Sequence, residues 1–208
     1  MRKIEIVTIG FLFGAVPIIS CFLAGWWLSI PFVPESRIFL FALAGFVVGV
    51  IIDILFLRKW IQTTYSMKPI VWMMIYLFYS FGMFGIFMGV PVFNVALALP
   101  AGFFIGGWLV NNGADPARMK KAARHSALFT TTVLAFICIA SATIALISTS
   151  TTSDLQGMFG LQITHGMIVG IILGGGIFIL ILQWWLTYWF VQLAYRYFVA
   201  LNSAKRVF

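Results

Sequence analysis

The chain has 208 residues, of which 62% are hydrophobic and only 9% charged, with a net charge of +8 and a mean hydropathy of +1.08. A soluble domain carries roughly a quarter charged residues. There is too little polar surface here to wet a globule, so a water-soluble fold is excluded. A pI near 9.9 would suggest nucleic acid in a soluble chain. Here the basic residues sit in short segments between apolar runs, where orientation in a membrane accounts for them and no nucleic-acid partner is implied.

Six apolar runs follow one another: 4–30, 38–57, 69–89, 91–110, 122–148 and 162–191. At 1.5 Å per residue, about 20 residues cross a hydrocarbon layer of ~30 Å. The expectation is an all-α, polytopic transmembrane bundle of six helices forming a single domain over 1–208. The first run follows Arg2 and Lys3 and resembles a signal sequence, and Ile18-Ile19-Ser20-Cys21 loosely imitates a lipoprotein cleavage box. The run continues through Phe22–Ile30, however, which is too long for a signal h-region. It carries Gly10 and Gly14 four apart, and Pro17, which is expected to kink it.

A short outer turn, PFVPESR (31–37), leads into the second run. There Gly45, Gly49 and Asp53 recur every four residues and stack along one side of a helix. The third run ends at Gly85/Gly89, and the chain then reverses with almost no polar loop. The fourth holds Asn94 near its start, Pro100, and the small residues Ala98, Gly102 and Gly106.

Asp115 followed by Pro116 reads as an N-cap and first-turn proline. The fifth helix is therefore expected to begin near 115, before lipid, with Arg118, Lys120, Lys121 and Arg124 in a basic start over 115–125. Those cations suit anionic lipid headgroups at about 1 kcal/mol each, or a protein partner. Thr130, Thr131 and Thr132 lie further along. A polar outer loop, 148–160, precedes the last run; it is expected either to be disordered or to lie on the headgroups through Leu155, Met158 and Phe159. The last run begins with Gln162, Thr164 and His165, carries Gly166, Gly170 and Gly174, and has Gln183 in its later half. Gly174-Gly175-Gly176 weakens a helix by roughly 1 kcal/mol per glycine relative to alanine and marks an expected hinge or break.

With the N-terminus in the cytoplasm, twelve of the thirteen Lys and Arg residues fall on the inner side and only Arg37 falls outside. This positive-inside bias predicts both termini in the cytoplasm. The expected location is the cytoplasmic membrane of a prokaryote. Trp and Tyr gather near the expected interfaces, most densely over 184–197.

Without a hydrophobic driving force between helices in lipid, small residues at i, i+4 let backbones approach. Gly45, Gly49, Gly102, Gly106, Gly166, Gly170 and Gly174 are the expected helix-packing positions. Asp53 reads as the only carboxylate within a span. A charged side chain at the bilayer centre costs at least ~2.5 kcal/mol, so it must face protein or water. Two readings stand: a structural ion pair with Arg58, Lys59, Lys68 or Arg124, or a proton or cation site. His125 lies on the same expected inner side and within reach of Asp53; His165 lies about a bilayer away, so the two histidines cannot share one metal or haem. Asp53, His125, Asn94, His165 and Gln183 are the candidate ion- or substrate-path residues.

Neither Cys21 nor Cys138 implies a disulfide, and no spacing implies a metal or other cofactor. No CxxC, HExxH, GxSxG, P-loop or GxGxxG occurs. Five acidic residues in all argue against a carboxylate- or metal-based hydrolase. In length and number of spans the chain is similar to the substrate-binding subunits of energy-coupling-factor vitamin transporters. That similarity is of layout; no motif is shared and no residue role follows from it. The expectation is a small transporter or channel-like protein, or else a non-catalytic scaffold or accessory subunit of a larger membrane complex. Besides lipid, its expected partners are a second copy of the chain or another membrane protein.

Overall fold

The computed structural model describes residues 3–87, 89–148 and 164–205. Among them every regular element is helical. The α-helices are α1 (Lys3–Ser29), α2 (Glu35–Thr63), α3 (Pro69–Ile86), α4 (Ala98–Asn111), α5 (Pro116–Ile147) and α6 (His165–Lys205). Short 3₁₀ segments, Thr64–Ser66 and Pro91–Leu97, precede α3 and α4. Among the described residues six helical stretches are long and apolar enough to cross a membrane. The expected outer loop after residue 148, with Gln162, lies outside the described residues.

Several boundaries differ from the sequence expectation. Helix α2 continues through Arg58 and Lys59 to Thr63, because nothing before Pro69 breaks it. The fourth span is α-helical only from Ala98; its first seven residues, Pro91–Leu97, are 3₁₀. Pro100 has no N–H for the Ala96 carbonyl and its ring crowds that carbonyl, so the preceding turns tighten. Helix α6 is unbroken at Gly174–Gly176 and runs for 41 residues, about 61 Å. The apolar and aromatic residues on both sides outweigh three weak helix formers.

The termini of these helices follow from local chemistry. Gly113 adopts φ 63°, the left-handed conformation that glycine takes without steric cost. It closes α4 in a Schellman arrangement: Ala114 N–H donates to Leu109 O at 3.0 Å and Gly113 N–H to Val110 O at 3.2 Å. Two residues on, Asp115 caps α5 by accepting from Arg118 N at 2.7 Å, with Pro116 at the first helical position. At the end of α3, Gly89 turns the chain with φ 82°.

The chain forms two compact units, Met1–Ile75 and Tyr76–Phe208, with the boundary inside α3. In the first unit α1 and α2 form an antiparallel hairpin. Beyond it, Trp72 packs edge-on against Phe13 at 4.9 Å and donates through Nε1 to Thr64 O at 3.5 Å. Trp60 also faces Phe13. Two of the tryptophans expected in an interfacial belt therefore wrap one buried phenylalanine. In the second unit α6 runs parallel to α4 and antiparallel to α5. One buried cluster joins Leu109, Met119, Ala123 and Val191; another joins Val95, Leu134 and Ile179.

Candidate functional site

The glycine stripe of α2 is the contact face of the hairpin. A Cβ on Gly45 would overlap the Cys21 carbonyl, and one on Gly49 would lie 2.6 Å from Ile18 Cα and 2.8 Å from Pro17 O. One turn on, the stripe delivers Asp53 to the bare Cα of Gly14: a Cβ there would stand 3.1 Å from Asp53 Oδ2 and 3.5 Å from a Leu57 methyl. Glycine on both helices thus makes the room in which the carboxylate sits. Its Oδ1 is buried and has no hydrogen-bond partner among the described residues. Arg58 and Lys59 are exposed on the later turns of α2, and Lys68 is exposed beyond it; none of the three is paired with Asp53.

Asp53 is not the only carboxylate at an apolar span. Glu5, at the start of the first one, is 8% exposed. The expectation that Asp53 is the only carboxylate within a span passed over Glu5, which lies inside the run 4–30.

The second unit holds a different kind of site. Asn94, in the 3₁₀ segment, donates through Nδ2 to Ser80 O at 3.0 Å. Ser80 and Tyr76 are one turn apart on α3 and so share a face. Gln183 of α6 donates through Nε2 to Tyr76 Oη at 3.2 Å and to Thr187 Oγ1 at 3.4 Å. Thr187 in turn meets Thr130 of α5, with their hydroxyls 3.0 Å apart, and Thr130 also donates to Ala127 O. The result is a polar seam linking α3, the 3₁₀ segment, α6 and α5. Gln183 and Thr187 are 0% exposed, Ser80 1%, and Asn94 and Thr130 2%. Within this seam Asn94 Oδ1 and Gln183 Oε1 have no hydrogen-bond partner among the described residues, whereas the Ser80 hydroxyl is hydrogen-bonded to Tyr76 one turn away. Of its members, the sequence singled out Asn94 and Gln183 as path candidates and Thr130 as a hydroxyl inside a span. Ser80, Tyr76 and Thr187 gave no signal, because a single hydroxyl in an apolar run does not reveal which face it is on.

The remaining candidates divide. Gly102 and Gly106 are packing positions: a Cβ on either would come 2.5 Å from Phe190 Cβ or Ala194 Cβ. Around Gly166, Gly170 and Gly174 no described atom lies within 4 Å of an added Cβ. His125 is exposed on α5, in the second unit, whereas Asp53 belongs to the first. His165 is the first residue of α6. Arg118, Lys120, Lys121 and Arg124 are all exposed, while Met119 and Ala123 between them are buried. Because α5 and α6 are antiparallel, exposed Arg196 and the end of α6 lie at this same end of the unit.

No protein-family model, curated protein or solved structure matches the chain.

Proposed function

We propose that this chain is a small multi-pass transporter or channel-like protein in which Asp53 binds a proton or a cation. The carrying observation is the buried Asp53 Oδ1, which has neither ion pair nor hydrogen-bond partner among the described residues and lies in a cleft made by Gly14. An ionisable group held within an apolar span is costly, and a structural ion pair would have offset that cost. Arg58, Lys59 and Lys68 do not supply one. A carboxyl group so placed is suited to take up and release a charge.

On this reading both termini lie on the cytoplasmic side of a prokaryotic cytoplasmic membrane. Support comes from the cations: Arg58, Lys59 and Lys68 lie at one end of the first unit, and Arg118, Lys120, Lys121, Arg124 and Arg196 at one end of the second. Arg118, Lys120, Lys121 and Arg124 then meet anionic headgroups.

The test is proton and sodium flux into liposomes carrying the purified chain or Asp53→Asn. Flux above that of empty liposomes, abolished by the substitution, is the expected result. Wild-type flux equal to that of empty liposomes overturns the reading.

One observation favours a second reading, a scaffold or accessory subunit. The first half of α6 is largely exposed, and its face at Gly166, Gly170 and Gly174 meets no described neighbour. Such a face accepts another helix in lipid. Stoichiometric co-purification of a second membrane protein, lost in Gly170→Leu, would support this alternative.

A further inference from the structure

We infer that the seam in the second unit is a binding site for a small uncharged hydrogen-bond donor, held by Asn94 Oδ1 and Gln183 Oε1. This inference is independent of Asp53, which belongs to the other unit. It begins from cost. A buried polar group left without a partner forfeits the hydrogen bonds it had in water, at about 1–3 kcal/mol each. Most buried polar side chains are therefore paired. Two orphans along one seam, each on a residue no more than 2% exposed, mark a place built to meet something else.

The chemistry of that partner follows from the orphans. The orientation of the Asn94 amide is fixed, because its Nδ2 donates to Ser80 O, a backbone carbonyl that can only accept. Asn94 Oδ1 is thus an acceptor in want of a donor. Gln183 faces two hydroxyls, on Tyr76 and Thr187, each able to donate or accept. Turning its amide over would exchange an orphan oxygen for an orphan N–H₂ group and leave one end unmatched either way. A ligand that donates to Asn94 and also exchanges a hydrogen bond with Gln183 satisfies the set.

Charge is excluded by the surroundings. The members of the seam include no Asp, Glu, Lys, Arg or His, and Val95, next to Asn94 in the chain, and Ile179, one turn from Gln183, form a buried apolar cluster with Leu134. An ion there would be desolvated without compensation. Size is set by the way the groups are gathered. Asn94 and Gln183 both dock on the Tyr76–Ser80 turn of α3, so the orphans lie within roughly one or two helical turns. Water fits this description, needing two to four polar partners, as does a small amide such as urea.

The experiment uses the full chain, isotopically labelled, in lipid bilayers. Magnetisation is transferred from water protons, and in a second arm from the protons of added urea, to the Asn94 and Gln183 side-chain amides. The buried Leu134 methyl groups serve as the dry reference and exposed Arg118 as the wet one. Transfer from water alone, several-fold faster than to Leu134 and close to that for Arg118, assigns a resident water. Transfer from urea as well assigns an exchanging small solute. Transfer from neither, with both amides as slow as Leu134, overturns the inference. Because the reading is taken on the wild-type chain, it does not depend on a variant folding.

Discussion

Gly49 of α2 lies directly on Pro17 and Ile18 of α1, so close that a single added carbon would stand 2.8 Å from the Pro17 carbonyl oxygen and 2.6 Å from Ile18 Cα. Backbone meets backbone here, and neither neighbour can rotate away. Gly49→Ala must push the two helices apart. Overpacking of this kind costs typically 1–3 kcal/mol, expected as a lowered midpoint in unfolding from lipid–detergent micelles. Gly170→Ala, where no described atom is near, is expected to be neutral or up to about 1 kcal/mol stabilising, since alanine is the better helix former. Equal effects of the two substitutions would contradict this packing.

The Schellman turn at Gly113 has a tertiary tie. Tyr195 Oη donates to Ala114 O at 2.7 Å, pinning the α4–α5 connection to α6. Tyr195→Phe keeps the ring and removes only that bond. The expected loss is about 1 kcal/mol, accompanied by faster amide exchange over residues 113–118. Unchanged exchange there would show the connection to be held by its own turn.

Within the seam, Thr187 has two hydroxyl-level partners and Thr130 has one besides its own backbone. Thr187→Val should therefore cost more than Thr130→Val. Interhelical hydrogen bonds in lipid are worth ~0.6 kcal/mol on average and up to ~1.7, so the difference is expected within that range. The two single variants read that difference, and a double-mutant cycle reads the Thr130–Thr187 coupling, with a coupling near zero as the contrary result.

Asp115→Ala removes the acceptor for Arg118 N–H and should cost 0.5–2 kcal/mol, whereas Asp115→Asn retains an N-cap and should cost little. The loss should appear first as faster amide exchange in the first turn of α5. That turn carries the exposed Arg118 and Lys120, so binding of the chain to liposomes rich in anionic lipid should weaken in parallel. If binding is unchanged while exchange rises, the cations act independently of helical order.

Much of the secondary structure could be read from one dimension. Asp115-Pro116 announced the start of α5, and the apolar runs announced six helices, because a backbone in lipid must satisfy its own hydrogen bonds and does so most simply as a helix. Tight turns were less legible. The 3₁₀ start at Pro91 depends on Pro100, nine residues on, crowding a carbonyl four residues before it. The glycine stripes read alike along the chain, yet Gly45, Gly49, Gly102 and Gly106 bear on a neighbouring backbone while Gly166, Gly170 and Gly174 have no described atom close to them. Periodicity states that a face is small; it does not state which helix comes to it.

The sites divide in the same way. Asp53 was legible because a carboxylate in an apolar run is conspicuous, and its place on the glycine stripe followed from a four-residue spacing. That Gly14 would receive it required the pairing of α1 with α2. The seam joins residues as distant as Tyr76 and Gln183, or Thr130 and Thr187, and no local pattern connects them.

Composition and hydropathy, acting residue by residue through the cost of placing each side chain and peptide group in oil or water, determined the medium, the helices and their approximate ends. Which faces touch, which oxygens are left without donors, and where a carboxylate finds shelter were decided only in three dimensions, because close packing and hydrogen bonding depend on atoms brought within a few ångströms by chain segments far apart in sequence.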